Sequence, residues 1–119
     1  MLQRVQVGGP RIDFPLIQNR LARMYVAMEN GRRIFLRTMH ETICGCQTRF
    51  DVCMGKLACA EMATWVSNDA IAILGGCGYM REYVVERPAR NAKLVEIGAG
   101  TAEMQMLTMD QDLATTWKP

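Results

Sequence analysis

The sequence predicts an all-α fold: an antiparallel helical bundle of two long helices and two shorter ones, part of a four-helix-type domain. Three observations point there. Apolar residues recur in alternating steps of three and four at Phe14, Ile17, Leu21, Met24, Met28, Gly31 and Phe35, which keeps one helix face apolar over several turns. A second apolar set, Met54, Ala58, Met62, Trp65, Val66 and Ile73, follows after a break. No strand-like alternation of apolar and polar residues stands out anywhere.

Taken in order, Gly8, Gly9 and Pro10 read as a loop and helix-start signal. The first stripe places a helix at about residues 12–42, with Gly31 letting a neighbouring helix come close. Its other face carries Arg20, Arg23, Asn30 and Arg33 and should be wet. Cys44-Gly45-Cys46-Gln47-Thr48 breaks the period and reads as the turn. A second helix is expected at about 51–74, antiparallel to the first because the link is short. Lys56 and Glu61 sit five apart on it and need not pair. A short helix follows at about 84–93, with Pro88 awkward in its interior, where proline costs about 3 kcal/mol. That position argues for a start near Arg87 or a kink. The last helix should begin after Thr101, fade near Leu113 and leave 114–119 frayed.

Composition bounds the function. The 119 residues suffice for one domain, and half of them are hydrophobic, so a core can form. A net charge of +2 argues against charge-driven binding of nucleic acid or a membrane surface. No apolar run approaches the ~20 residues of a membrane span, and Met1-Leu2-Gln3-Arg4 opens no signal peptide. Five cysteines without a secretion signal read as reduced thiols. His40, Cys44, Cys46 and Cys53 match no standard zinc spacing, so no metal is assigned. Cys53 and Cys59 read as core thiols, and His40 as a partner of a helix C-terminus. The ten methionines read mostly as core filling.

Two glycine segments draw attention. Gly75, Gly76 and Gly78 follow an apolar helix, where glycine allows either a tight cap or a close approach by another body. Gly98-Ala99-Gly100-Thr101 ends on a good N-cap, with Glu103 in the first turn of the helix after it. A helix start of this kind suits an anionic or acceptor-rich ligand. Between them, Glu86, Arg87, Arg90 and Lys93 read as a solvated charged face.

The stretch GGCGYMREYVVERPARNAKLVEIGAGTAEMQ resembles the C-terminal helical domain of the acyl-CoA dehydrogenases, a family of FAD enzymes. Four separated blocks agree in order with the family's GG-x-GY, VER, RDAK and GT-x-E, and QNRLARM stands where the family writes Q-x-KLA-x-M. The resemblance extends upstream to Arg4 and so covers nearly all of residues 1–119. It implies an incomplete domain, without its own first helix and without the family's N-terminal and middle domains.

The resemblance also implies roles. Arg4 would contact the FAD pyrophosphate, to which a guanidinium is suited by geometry. Gly75, Gly76, Cys77 and Gly78 would pack against the FAD of a partner subunit, and Thr101, Ala102 and Glu103 would lie near the flavin. Ala99 and Gly100 would face substrate. Ala99 stands where many relatives carry the catalytic Glu, so no catalytic residue is expected in this chain. The IGAGT form resembles the isovaleryl-type branch, whose base lies on an earlier helix. Departures from the family are Val7 for Phe, Pro15 for Gln, Pro88 for an aliphatic residue and Asn91 for Asp.

The function implied is that of the C-terminal portion of an acyl-CoA dehydrogenase, active on acyl-CoA thioesters in fatty acid or amino acid catabolism when complete and inactive as this piece. FAD, acyl-CoA, an electron-transfer acceptor and further copies of the chain, as a dimer or tetramer, are the expected partners. A cytoplasmic location is expected, or the mitochondrial matrix in a eukaryote. The alternative reading is a non-catalytic helical interaction or oligomerisation module, told apart by flavin. A thiol or metal sensor on Cys44 and Cys46 ranks last.

Overall fold

A computed structural model of the chain describes residues 5–116, apart from 7 and 47. Five α-helices run in order: α1 Pro15–Cys44, α2 Arg49–Leu74, α3 Gly76–Tyr79, α4 Glu86–Ile97 and α5 Ala102–Thr116. The all-α bundle is as expected, with α3 as an additional single turn of helix. A short antiparallel pair, β1 Val5–Gln6 and β2 Gly9–Pro10, precedes them, with Val5 opposite Pro10 and Gln6 opposite Gly9. The reading without strands is corrected there. Two residues are too few to show an alternation, and the pair is made by the turn at Gly8, whose φ is 84°.

α2 is the central element, and α1, α3, α4 and α5 all pack on it. The radius of gyration is 18.1 Å, against about 13.5 Å for a compact domain of this length. The long hairpin of α1 and α2 accounts for the excess, and the extents are 62 × 29 × 25 Å.

This arrangement corrects the expected stripe on α1. Ile17, Met24 and Gly31, seven residues apart, are buried, but Leu21, Met28 and Phe35 are exposed, the last two by 50% and 55%. A single packed neighbour covers only the narrow line that recurs every two turns. Gly31 lies on that line as expected, and a Cβ there would sit 2.5 Å from the terminal methyl of Met62. On α2 the pattern reverses. The central helix is covered from several sides, so its buried residues are small: Cys53, Gly55, Ala60 and Ser67, with Ile73 near the end. Of the positions expected inside, Ile73 is buried and Met54, Ala58, Met62 and Val66 are half-buried, but Trp65 is 39% exposed, with Arg23 5.9 Å from its ring. A bulky indole is excluded where two backbones approach closely.

Local chemistry sets the ends. α1 runs two residues past the expected end and stops at Gly45, whose φ of 70° is left-handed; the Cys46 N–H then bonds the Glu41 carbonyl. Thr48 caps α2 by accepting the Asp51 N–H at 3.1 Å, so α2 begins at Arg49. Pro88 is the third residue of α4, in the first turn, where a missing N–H removes no intrahelical bond. Of the two expectations, a start near Arg87 or a kink, the first holds, since α4 begins at Glu86. α5 runs to Thr116, past the expected Leu113, and is tied to α2 by an Arg49–Asp112 pair with Nε 3.2 Å from Oδ2.

Candidate functional site

The first glycine segment forms the junction of α2 and α3. Gly75 has φ 65° and ψ −140°, a conformation that excludes other residues, and its N–H bonds the Ile71 carbonyl at 2.9 Å. Gly78 is buried against the end of α2, where a Cβ would meet the Ile71 carbonyl oxygen at 2.7 Å. Gly76 differs from both. It is exposed, and nothing lies within 4 Å of where its Cβ would be. Backbone conformation thus explains Gly75 and packing explains Gly78, which leaves Gly76 unexplained. Cys77 is half-buried, and Tyr79 beside it is 84% exposed. An open cleft of about 430 Å³ adjoins the segment, lined by Tyr79, Met80, Arg81, Glu82, Glu86 and Arg90 among others. Glu86 and Arg90 pair across one helical turn at the cleft.

The second segment is the turn between α4 and α5. Ala99 has φ 51° and Gly100 φ 89°, so two consecutive residues are left-handed. For Ala99 this costs roughly 1–2 kcal/mol. Three side chains hold the turn. Lys56, on α2, donates to the carbonyls of Glu96, at 3.3 Å, and of Gly100. The Gln105 amide reaches the carbonyls of Ala99, at 3.5 Å, and Gly100, at 3.4 Å. Thr101 takes the capping position expected of it, accepting from the Met104 N–H at 3.5 Å. The Glu103 carboxyl is held below its ordinary value by its own backbone N–H and the Thr101 hydroxyl, with Lys93 and Lys56 adding attraction. Glu96, the carboxylate nearest to Ala99 in sequence, pairs with Lys93.

Lys56 and Gln105 were not legible as site residues. Lys56 is 40 residues from Glu96, and its one sequence signal was negative, the spacing from Glu61. Nor does the structure join the two segments. Lys56 and Gly75 are 19 residues apart on α2, about 28 Å along its axis, so the chain presents two separate patches. Arg4 lies outside the described residues, as does Val7.

The remaining candidates fall into place as side-chain environments. Burial pushes the Cys59 thiol up, and its sulfur lies 3.5 Å from the Gly31 carbonyl, a core setting. Cys53 is buried, while Cys44 and Cys46 are exposed, with the Cys44 sulfur 3.7 Å from His40 Nε2. Among the described residues no three His, Cys, Asp or Glu side chains converge as a metal site. No helix among them is long and apolar enough to cross a membrane. An apolar groove of about 630 Å³ runs between α1, α2 and α4, with Met28, Met62, Val66, Ala92 and Val95 in its walls.

Residues 1–114 match the family model described as acyl-CoA dehydrogenase, C-terminal domain. The mitochondrial isovaleryl-CoA dehydrogenase of Arabidopsis thaliana is 40% identical over 112 residues, which are 93% of this chain and 27% of that protein. The structure of butyryl-CoA dehydrogenase from Megasphaera elsdenii superposes with a TM-score of 0.91 at 33% identity, over 95% of this chain and 30% of that one. A glutaryl-CoA dehydrogenase from Mycobacterium smegmatis in complex with FADH2 gives 0.90 at 25% identity, over 96% and 30%. The chain thus spans under a third of the length of these relatives. Its matched residues and its fold place it in the acyl-CoA dehydrogenase family of flavoprotein oxidoreductases, with which it shares the C-terminal helical domain.

Proposed function

We propose that these residues are the C-terminal portion of an FAD-dependent acyl-CoA dehydrogenase that catalyses α,β-dehydrogenation of acyl-CoA thioesters when complete. The observation that carries the reading is the exposed, left-handed Ala99-Gly100 turn leading into the capped start of α5. It combines exposed backbone with a helix start capped by Thr101.

The residues present fit FAD. Gly76 leaves room for a flat or bulky group to come against backbone, and the exposed Ala99-Gly100 turn offers bare backbone just ahead of α5. Bound FAD would supply the acceptor for the β-hydrogen, which leaves as hydride. The roughly 28 Å of α2 between Lys56, which holds the second turn, and Gly75 favours the two patches' serving different flavins: Gly75, Gly76, Cys77 and Gly78 that of a partner subunit, and Thr101, Ala102 and Glu103 that of the same subunit. Arg4 is assigned to the pyrophosphate of the first.

The α-proton needs a base within hydrogen-bond reach. Ala99 has none to offer, Glu96 is engaged with Lys93, and Glu103 is stabilised as an anion by its own helix start. The resemblance to the isovaleryl-type branch instead assigns the base to an upstream helix. Ala99 and Gly100 shape the substrate side of the turn. Exposed Tyr25, Val26, Leu36 and Met39 on α1, with Leu94 and Ile97 on α4, favour burial against further copies of the chain or the remaining domains. An electron-transfer acceptor would then reoxidise the flavin.

Joining this chain to the upstream helix and to the N-terminal helical and middle domains of a family member, and mixing with acyl-CoA without oxygen, should bleach the flavin absorbance. The 119 residues supplied with FAD alone should not. Bleaching by the short chain would overturn the assignment of the base. A joined protein that binds FAD and acyl-CoA yet never bleaches would overturn the enzyme reading in favour of an interaction module.

A further inference from the structure

The Ala99-Gly100 turn is held from outside its own segment, and that hold has a single charged source. α4 has no basic residue in its last turn, so its C-terminal carbonyls lack the cation that commonly stabilises such an end. Lys56 crosses from α2 to supply one. Its ammonium donates to the Glu96 carbonyl in the last turn of α4 and to the Gly100 carbonyl in the left-handed turn. The Gln105 amide, from the first full turn of α5, reaches the same Gly100 oxygen and the Ala99 oxygen. Three helices therefore meet through the oxygens of one turn. A Cβ at Gly100 would meet the Gln105 nitrogen at 2.7 Å, so a side chain there would displace that amide from the turn.

We infer that Lys56 is a positioning residue, with Gln105 as its second arm, which sets the left-handed conformation of Ala99 and Gly100 and thereby the aim of the α5 helix start. The inference rests on the turn's facing flavin and substrate only for its catalytic consequence; the clamp itself is a property of this chain. Lys56 touches neither group in this scheme and acts through the carbonyls it binds. Two left-handed residues in succession, one of them alanine, are a minor state of a free peptide. An ammonium bonded to two carbonyls across the turn favours the conformer in which both oxygens converge. Because the lysine sits on the central helix, it also fixes the turn relative to the bundle.

The test uses amide hydrogen exchange and carbonyl 13C shifts in the full 119-residue chain, comparing wild type with Lys56→Met, Lys56→Arg and Gln105→Leu. Methionine keeps the aliphatic stem and removes the donor. Loss of a charge-assisted bond predicts roughly tenfold to a hundredfold faster exchange in Lys56→Met at the bonded amides flanking the turn, Gly98, Met104 and Gln105. The Glu96 and Gly100 carbonyl resonances should shift, while exchange in the middle of α1 stays as in wild type. Lys56→Arg should restore most of the protection, and Gln105→Leu should give a smaller, local increase. Unchanged exchange and unchanged carbonyl shifts in Lys56→Met would overturn the clamp, and so would a uniform loss of protection along the whole chain. None of these measurements needs flavin, so they succeed or fail apart from the enzymatic reading. In the joined protein, the catalytic half predicts slower flavin bleaching by Lys56→Met at saturating acyl-CoA, restored by arginine. A bleaching rate equal to wild type there would overturn that half.

Discussion

Replacing Gly78 by alanine tests the packing of the first glycine segment. The added methyl would sit 2.7 Å from the Ile71 carbonyl oxygen, 2.9 Å from Ile71 Cα and 3.1 Å from Leu74 Cβ, where ordinary contacts begin at 3.4 Å. Two of these three atoms are backbone, in the last turn of α2, so no side chain can swing aside. Overpacking costs about 1–3 kcal/mol in general, and a backbone neighbour puts this site near the upper end. The gain from a stiffer unfolded chain, about 0.4–1 kcal/mol, offsets part of it and leaves a net loss of about 2 kcal/mol. For a chain of this length that lowers Tm by roughly 8 °C. Gly76→Ala is the internal control. Nothing lies within 4 Å of its added methyl, so only the unfolded-state gain remains and Tm should hold or rise slightly. Thermal and urea melts followed by far-UV circular dichroism give both values. Equal stabilities for the two variants, within about 0.5 kcal/mol, would refute the claim that Gly78 serves packing and Gly76 does not.

Ala99→Gly removes the steric cost of a left-handed alanine, roughly 1–2 kcal/mol, against about 0.5–1 kcal/mol of added unfolded-state freedom, so urea melts should show stability unchanged or raised by up to about 1 kcal/mol. Thr48→Ala leaves the Asp51 N–H without its acceptor and should cost about 1 kcal/mol in the same melts. Both Glu103 and Asp112 have folded-state values below their ordinary 4.5 and 3.8, Glu103 through its own backbone N–H and Asp112 through the Arg49 guanidinium. Their stabilisation is complete above those ordinary values and is lost as pH falls through the lower folded ones, so α5 should loosen on acidification. Asp112→Asn should flatten that pH dependence, read as exchange of α5 amides between pH 5 and pH 2.

Helix type and order lay in the periodicity, because a step of three and four residues can satisfy only one kind of backbone. The capping of α5 by Thr101 was equally legible, since a hydroxyl and an N–H three residues on meet through local geometry alone. So was the family, through four blocks spaced along a single stretch. What the pattern of apolar residues could not tell was how many neighbours each helix has. Ile17, Met24 and Gly31 fall on the same periodic stripe in sequence as Leu21, Met28 and Phe35, yet only the first set is buried. On α2 the covering from several sides turned the core toward small residues such as Ala60 and Ser67, which carry no strong hydrophobic signal. Lys56 shows the same divide at the candidate site. Its role depends on the side-by-side placement of α2 and the end of α4, and a contact across 40 residues leaves no local mark. Sequence alone thus determined the interactions made within a turn or two of helix. Tertiary packing decided which glycine is crowded, which is open, and which lysine reaches the turn, because those depend on the distance between backbones that only the folded bundle brings together.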